Sequence, residues 1–256
     1  MIHNTAIIDP NAKLGANVSV GVGTIIGPEV EVGEGTEIGP YVVIKGPTKI
    51  GRNNKIYQFN SIGDEPQSKK YAGEKTVLEI GDDNIIREFC TFHRGTTQGK
   101  GITRIGHRNF IMAYVHIAHD CQVGNDIIFA NNAALSGHVT VDDYVNFGGF
   151  SVVHQFCMIG AYAFVAGATS VGKDVPPYVL VSGHPAEAYG LNVVGLKRNG
   201  FDDETIAALR RAYSIIYRQG YTVQQAIEQL EIMLRDYPQV DLLISSLNNS
   251  MRGIVR

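Results

Sequence analysis

Residues 105–141 read IGHRNF IMAYVH IAHDCQ VGNDII FANNAA LSGHVT V, and an aliphatic or aromatic residue opens each block of six. The recurrence extends in both directions. Ile8, Leu14, Val20, Ile26, Val32, Ile38, Ile44, Ile50, Ile56 and Ile62 precede the quoted stretch, then Ile80, Ile86 and Phe92, while Phe147, Val153, Ile159, Val165 and Val171 follow it. A period of six fits neither an amphipathic helix nor an alternating strand. In a chain rich in β-branched residues it is the hexapeptide signature of a parallel β-helix, each block giving one short strand and its corner.

Three such sides close a triangular coil, so residues eighteen apart should stack. The position four after the anchor supports this, being small or β-branched at Val18, Thr24, Val30, Thr36, Val42, Val115, Cys121, Ala133, Val139, Cys157 and Ala163. Two of every six side chains then point inward. Glycine directly after many anchors (Gly15, Gly21, Gly33, Gly51, Gly81, Gly124, Gly160) suits a corner that asks for positive φ or close backbone approach. These glycines shape corners and bind no phosphate.

The 256 residues carry a formal charge of −3 and contain no long apolar run and no basic-then-apolar leader. This composition points to a soluble, intracellular protein without an integral membrane segment or nucleic-acid partner. Cys90, Cys121 and Cys157 all occupy the small inward position, which makes them core thiols.

After Asp174-Val-Pro-Pro-Tyr178 the period of six stops, and from about Asp202 apolar residues fall at helical spacing. Asp202 or Asp203 would cap one helix and Thr222 a second, with a third amphipathic stretch from Val240 to about Met251. The expected architecture is an all-β parallel β-helix over residues 1–186 and a small α-helical C-terminal domain over 187–256. Two interruptions of the rhythm, 64–77 and 95–103, should be loops, and insertions in a solenoid often form its binding face.

Stacking makes the histidines readable. Adding eighteen places Gly137 and then Gln155 above His119, and places His138 above Asp120 with Phe156 above His138. Adjacent coils are roughly 4.8 Å apart, so His119, Asp120, Gly137 and His138 should form one patch. His116, His119, His138 and His154 all avoid the inward positions, which leaves an exposed structural site, a metal site or an acid–base site. Imidazole titrates near neutrality, so a base that accepts and returns a proton is the natural assignment, with Asp120 orienting or polarising it. A three-histidine zinc site including His116 and His119, as in γ-class carbonic anhydrases of this architecture, is the metal alternative. At the position three after the anchor, His138, Tyr144, Phe150, Phe156 and Tyr162 present large rings outward, a patch that marks an interface or a ligand groove, with self-association the favoured reading.

Ordered motifs along the whole chain sharpen this. His116-Ile-Ala-His-Asp-Cys-Gln-Val-Gly124, Lys70-Tyr-Ala-Gly-Glu74, His93-Arg-Gly-Thr96, Val153-His-Gln-Phe-Cys157 and Gly195-Leu-Lys-Arg-Asn-Gly-Phe201 closely resemble the bacterial UDP-N-acetylglucosamine O-acyltransferases, which begin lipid A synthesis. The resemblance implies a cytoplasmic homotrimer of left-handed β-helices with sites in clefts between subunits. It implies transfer of an R-3-hydroxyacyl group from acyl carrier protein to the 3-hydroxyl of UDP-N-acetylglucosamine, with no cofactor. By position His119 matches the general base, Asp120 its neighbour, and Gly137 the backbone N–H that receives the oxyanion.

The resemblance also places Gln67 and Lys70 against substrate, and His116, His138 and His154 along the sugar and acyl cleft. Gln155, Asn192 and Arg198 match positions around the nucleotide, and Gly167 matches the position that limits acyl length, where glycine implies a longer chain. Ser68, Val194 and Asn199 depart from an aspartate, a glutamate and an arginine in the best-known members, which leaves the 3-amino analogue of the sugar nucleotide as an alternative acceptor. Lys197, Arg198, Arg210 and Arg211 are candidates to receive the acidic carrier protein.

Overall fold

The computed structural model describes residues 1–256. Each anchor lies in a strand of its own, from Ile7–Ile8 to Ser170–Val171. The strands stack into sheets of nine, eight and ten members, and the chain visits them in rotation. We call these sheet I, beginning with Ile7–Ile8, sheet II, beginning with Lys13–Leu14, and sheet III, beginning with Ser19–Val20. Away from insertions the register is the expected eighteen, Ile117 pairing with Leu135, Val153 and then Val171 up one face.

Every anchor but Ile8 and Leu14 is buried, and they form the spine of one core cluster of 42 buried residues. Each aliphatic side chain so buried contributes roughly 1.5–3 kcal/mol. The inward position four after the anchor also holds asparagines, Asn54, Asn84 and Asn109, that hydrophobic counting did not anticipate. They are buried because each amide is bonded to the next coil, and Asn84 to its own as well: Asn84 Nδ2 donates to Gly81 O (3.1 Å) and Gly106 O (3.0 Å), and its Oδ1 accepts from Asn109 N (2.9 Å).

Of the two reasons offered for glycine after the anchor, close approach is the operative one: a Cβ on Gly33 would lie 2.6 Å from the Gly51 carbonyl carbon. Positive φ falls instead three residues after the anchor and on residues with side chains, among them Tyr41 (53°), Asp120 (63°), His138 (63°) and Phe156 (66°). The left-handed conformation costs an L-residue about 1–2 kcal/mol. Ring stacking between coils offsets about 0.5–1.5 kcal/mol per pair. Tyr41, Phe59, Phe89 and Tyr114 stack in this way at centroid separations of 5.7, 5.1 and 4.8 Å.

Consecutive blocks turn successive corners, so the single aromatic patch expected from His138, Tyr144, Phe150, Phe156 and Tyr162 is divided. His138 and Phe156 occupy the corner between sheets I and II, Tyr144 and Tyr162 the corner between II and III, and Phe150 the corner between III and I. The four-ring ladder of Tyr41 to Tyr114 stands on this last corner, its rings 42–55 % exposed. The faces differ in the same sense. Sheet II carries outward ion pairs such as Lys13–Glu31 and Arg104–Glu79, whereas sheets I and III expose Ile7, Ile25 and Val152, and Ile85 and Ile128, respectively.

Away from the insertions the amide two residues after the anchor makes no backbone hydrogen bond, which is why proline stands there at residues 10, 28 and 40. On the II/III corner that amide is taken by a side chain of the next coil: Asn125 N donates to Asp143 Oδ1 (2.7 Å) and His107 N to Asn125 Oδ1 (2.8 Å).

Both interruptions leave the I/II corner, as residues 65–76 and 94–101. Arg94, itself buried, ties them together, donating to Gly63 O (2.6 Å), Gly46 O (3.1 Å) and Tyr71 Oη (3.1 Å). At the C-terminal end Val179–Ser182 extends sheet III and pairs antiparallel with Glu187–Leu191, so a hydrogen-bonded hairpin runs across the division expected after residue 186. Helices follow at Val193–Arg198, Asp203–Tyr217, Val223–Leu234 and Asp241–Asn249. Asp202 caps the second, and Thr222 with Gln225 forms a capping box on the third. The first, of six residues, is too short to show helical spacing in the sequence. No helix is long and apolar enough to cross a membrane.

Candidate active site

The I/II corner brings four of the expected residues together. His119 follows its anchor by two positions and Gly137 lies directly over its ring, so that a Cβ on Gly137 would meet His119 Cε1 at 2.6 Å. Asp120, next in the chain, is buried and lies beneath His138, whose Nε2 is 3.8 Å from Asp120 Oδ2. Phe156 then stacks on His138 at 4.5 Å.

His119 Nδ1 lies 2.9 Å from Asp120 Oδ2. Burial alone would raise the Asp120 pKa, but hydrogen bonds from His119 and Thr96 and the nearby His138 outweigh it and hold the carboxyl below its ordinary value. An ionised carboxylate only accepts hydrogen bonds, so the His119 proton resides on Nδ1 and the lone pair on Nε2. This is the tautomer a general base requires. The His119 side chain is 17 % exposed, enough for Nε2 to meet a ligand.

The Gly137 N–H, two residues after its anchor, makes no hydrogen bond within the chain. The residue one coil on is Gln155, whose exposed side chain leaves that donor free. An imidazole with a free Nε2 and an unused backbone donor thus stand one coil apart, an arrangement suited to acyl transfer.

The ligand atoms of His119, Asp120 and His138 lie within 4.8 Å of one another, a spacing open to a cation. The donor set argues against one. The Asp120 carboxylate already accepts from Thr96 N, Thr96 Oγ1, Lys100 N and His119 Nδ1. His116, a member of the three-histidine alternative, instead shares a hydrogen bond with Thr91 Oγ1 at 2.7 Å. Burial, aided by His93 and His119, lowers the His116 pKa to about 4. Burial likewise lowers His138 against the opposing pull of Asp120.

Other expected residues lie apart. His154 and Gln155 are on the same corner one coil further up, both exposed, and Gln67 and Lys70 are exposed in the first loop. Asn192 and Arg198 line a cavity of 630 Å³ on sheet III beside the II/III corner, with Asp126, Tyr144, Phe164 and Asn199. In a triangular prism that face is opposite the I/II corner. Asn192 also serves the fold, its side chain capping the first helix through Gly195 N (3.0 Å) and donating to Tyr162 O (3.0 Å). Gly167 is exposed on the III/I corner. The three cysteines are buried and unpaired, with burial pushing Cys90 and Cys121 up to about 12 and Cys157 to about 11, so none supplies a thiolate.

Thr96 and His93 are the site neighbours that counting did not find. Both are buried, Thr96 against Asp120 and His93 with Nδ1 2.6 Å from Glu65 O. The signal was their position at the mouth of an insertion, where the count of eighteen lapses.

The family model of UDP-N-acetylglucosamine O-acyltransferase domain 2 matches residues 174–255, and that of bacterial transferase hexapeptides matches 29–64 and 102–137. The acyl-[acyl-carrier-protein]–UDP-N-acetylglucosamine O-acyltransferase of Thiobacillus denitrificans is 56% identical over 255 residues, covering 100% of this chain and 99% of the relative. Among solved structures, LpxA from Acinetobacter baumannii superposes with a TM-score of 0.98 at 50% identity, covering 100% of this chain and 99% of that one. UDP-N-acetylglucosamine O-acyltransferase from Moraxella catarrhalis does so with 0.98 at 49% identity and the same coverage. The solenoid is thus a left-handed parallel β-helix with a helical C-terminal region, and the chain belongs to the UDP-N-acetylglucosamine O-acyltransferase family.

Proposed function

We propose that this protein transfers an R-3-hydroxyacyl group from acyl carrier protein to the glucosamine 3-hydroxyl of UDP-N-acetylglucosamine, the first step of lipid A biosynthesis. His119 Nε2 removes the hydroxyl proton while Nδ1–H stays bonded to Asp120. The oxygen attacks the thioester carbonyl, and the Gly137 N–H stabilises the resulting oxyanion. Collapse breaks the C–S bond, and the departing thiolate takes the proton back from His119. A thioester is already activated, so the step needs no covalent enzyme intermediate. The observation that carries this reading is the His119–Asp120 pair with its free Nε2 beneath an unused backbone donor.

The working unit is a homotrimer in the cytoplasm. Two faces of the prism, I and III, expose apolar side chains and meet at the aromatic ladder, whereas sheet II is charged. Three copies presenting the III/I edge to a common axis set sheet I of one against sheet III of the next. The I/II corner of one subunit then faces the cavity of Asn192 and Arg198 on its neighbour, which supplies the nucleotide contacts that its own chain holds on the opposite side. In that cleft Gln67, Lys70, His116, His138 and His154 approach the sugar and acyl chain from one subunit, and Gln155 the nucleotide. Arg198 suits the diphosphate, and Gly167 leaves room for a long acyl chain.

The test is acyl transfer from a series of 3-hydroxyacyl carrier proteins to UDP-N-acetylglucosamine and to its 3-amino analogue. The expected result is product from the ordinary nucleotide, and a His119→Ala protein slower by about 10²–10⁴-fold. Wild-type turnover by a folded, trimeric His119→Ala would sink the base assignment. Turnover of the amino analogue alone would change the acceptor.

A further inference from the structure

The second insertion is a cage for one carboxylate. Thr96 is buried and donates twice to Asp120, from its N–H (3.0 Å to Oδ1, 3.1 Å to Oδ2) and from Oγ1 (2.7 Å to Oδ2). Lys100 N adds a third donor at 3.2 Å. The loop closes around this group: Gly99 N and Gly101 N both donate to Thr96 O, at 3.1 and 2.9 Å, and a Cβ on Gly99 would stand 2.4 Å from the carboxylate carbon. Asp120 N donates in turn to Thr103 Oγ1 at 2.8 Å, in the strand that follows the loop. No other group of the chain receives so many donors from one insertion. Thr97 Oγ1, 3.2 Å from Glu74 Oε1, couples the cage to the loop that carries Lys70.

We propose that Thr96 is a positioning residue for acyl transfer, fixing the Asp120 carboxylate so that it holds the His119 proton on Nδ1 and aims Nε2 at the acceptor hydroxyl. The proposal rests on His119 acting as the base. Donors spread the charge of Asp120 away from His119. Without the Thr96 hydroxyl the carboxylate binds a proton more readily and loses its hold on the His119 Nδ1 proton, which moves the acid limb of activity to higher pH. The other titratable groups facing the pair are His138 on the coil above and His116 on the adjoining strand.

The experiment compares Thr96→Val, Thr96→Ser and His119→Ala as full-length proteins, measuring kcat and KM for the sugar nucleotide from pH 5 to 9 together with oligomeric state. Thr96→Val is expected to lower kcat by about 10–100-fold, as removal of a partner behind a reacting group does elsewhere, with KM little changed and the acid limb displaced upward. Thr96→Ser should restore both. Gly99→Ala, which pushes on the carboxylate with the hydroxyl intact, should reproduce the loss of kcat and covers the case in which Thr96→Val does not fold. An unchanged acid limb and kcat in a folded Thr96→Val, with His119→Ala inactive, overturns the role of Thr96 and leaves the base in place. An active His119→Ala overturns the base itself. Loss of kcat without movement of the acid limb, or without rescue by serine, reduces Thr96 to a structural residue and overturns the proposal.

Discussion

The I/II and III/I corners are built on the same backbone, with the same six-residue period and the same left-handed residue three after the anchor, yet they do different work. On the III/I corner that slot holds Tyr41, Phe59, Phe89 and Tyr114, stacked and half exposed. On the I/II corner it holds Asp120, His138 and Phe156, and Asp120 is buried. The repeat does not distinguish them. What does is the pair of insertions, both on the I/II corner, which wall the slot and turn an exposed ladder position into a partly buried polar one. A ring there can only stack, whereas a carboxylate walled by N–H donors can hold a neighbouring imidazole in one tautomer.

The largest expected difference between the corners lies at the Gly137 donor beside the proposed base. On the II/III corner the amide two after the anchor is captured by a carboxylate from the coil above, as Asp143 captures Asn125 N. Gln155→Asp places such a carboxylate over Gly137, and acyl transfer is expected to fall by about 10²–10³-fold, the effect of losing an oxyanion donor. Gln155→Ala, which leaves the amide free, should lose far less. Equal losses in the two variants would show that the Gly137 N–H is not used.

The next test concerns the other corner. Phe59→Asp combined with Phe89→Asp puts like charges about one coil apart on the proposed axis, and the protein should sediment as a monomer with activity reduced to background. Because every contact of the His119 pair is left untouched, a trimer that survives with normal activity would move the interface to another edge. The smallest effect expected is on stability. His116 stays neutral in the folded protein down to a pKa of about 4, while the unfolded chain takes up that proton near 6.5. Its contribution is therefore fully present above pH 6.5 and lost as pH falls toward 4. His116→Gln should flatten the decline of Tm with acidification over that window, and an undiminished slope would assign the acid sensitivity elsewhere.

Much of this was legible in the sequence where the count was unbroken. From Ile105 onward no residue is inserted, so adding eighteen placed Gly137 on His119 and His138 on Asp120, as the register and the 3.8 Å contact show. Thr96 was not legible, because it reaches Asp120 across twenty-four positions through an insertion whose path no period describes. The aromatic patch failed for a different reason. Counting by six identifies equivalent slots but not which corner each occupies, and only every third block returns to the same edge. Asn192 was read as a ligand contact, yet its side chain is also committed to a helix cap, a role that a six-residue helix does not announce through periodicity.

Prolines at positions 10, 28 and 40 mark the amide that the ladder leaves idle, and that idleness bears on how such solenoids acquire new chemistry. Where neither proline nor a side chain of the next coil takes that position, as at Gly137, the coil itself leaves a hydrogen-bond donor for a developing negative charge. Innovation in this architecture is therefore limited by the walls around a donor, and a change of substrate is reached sooner by lengthening a corner than by redesigning the coil.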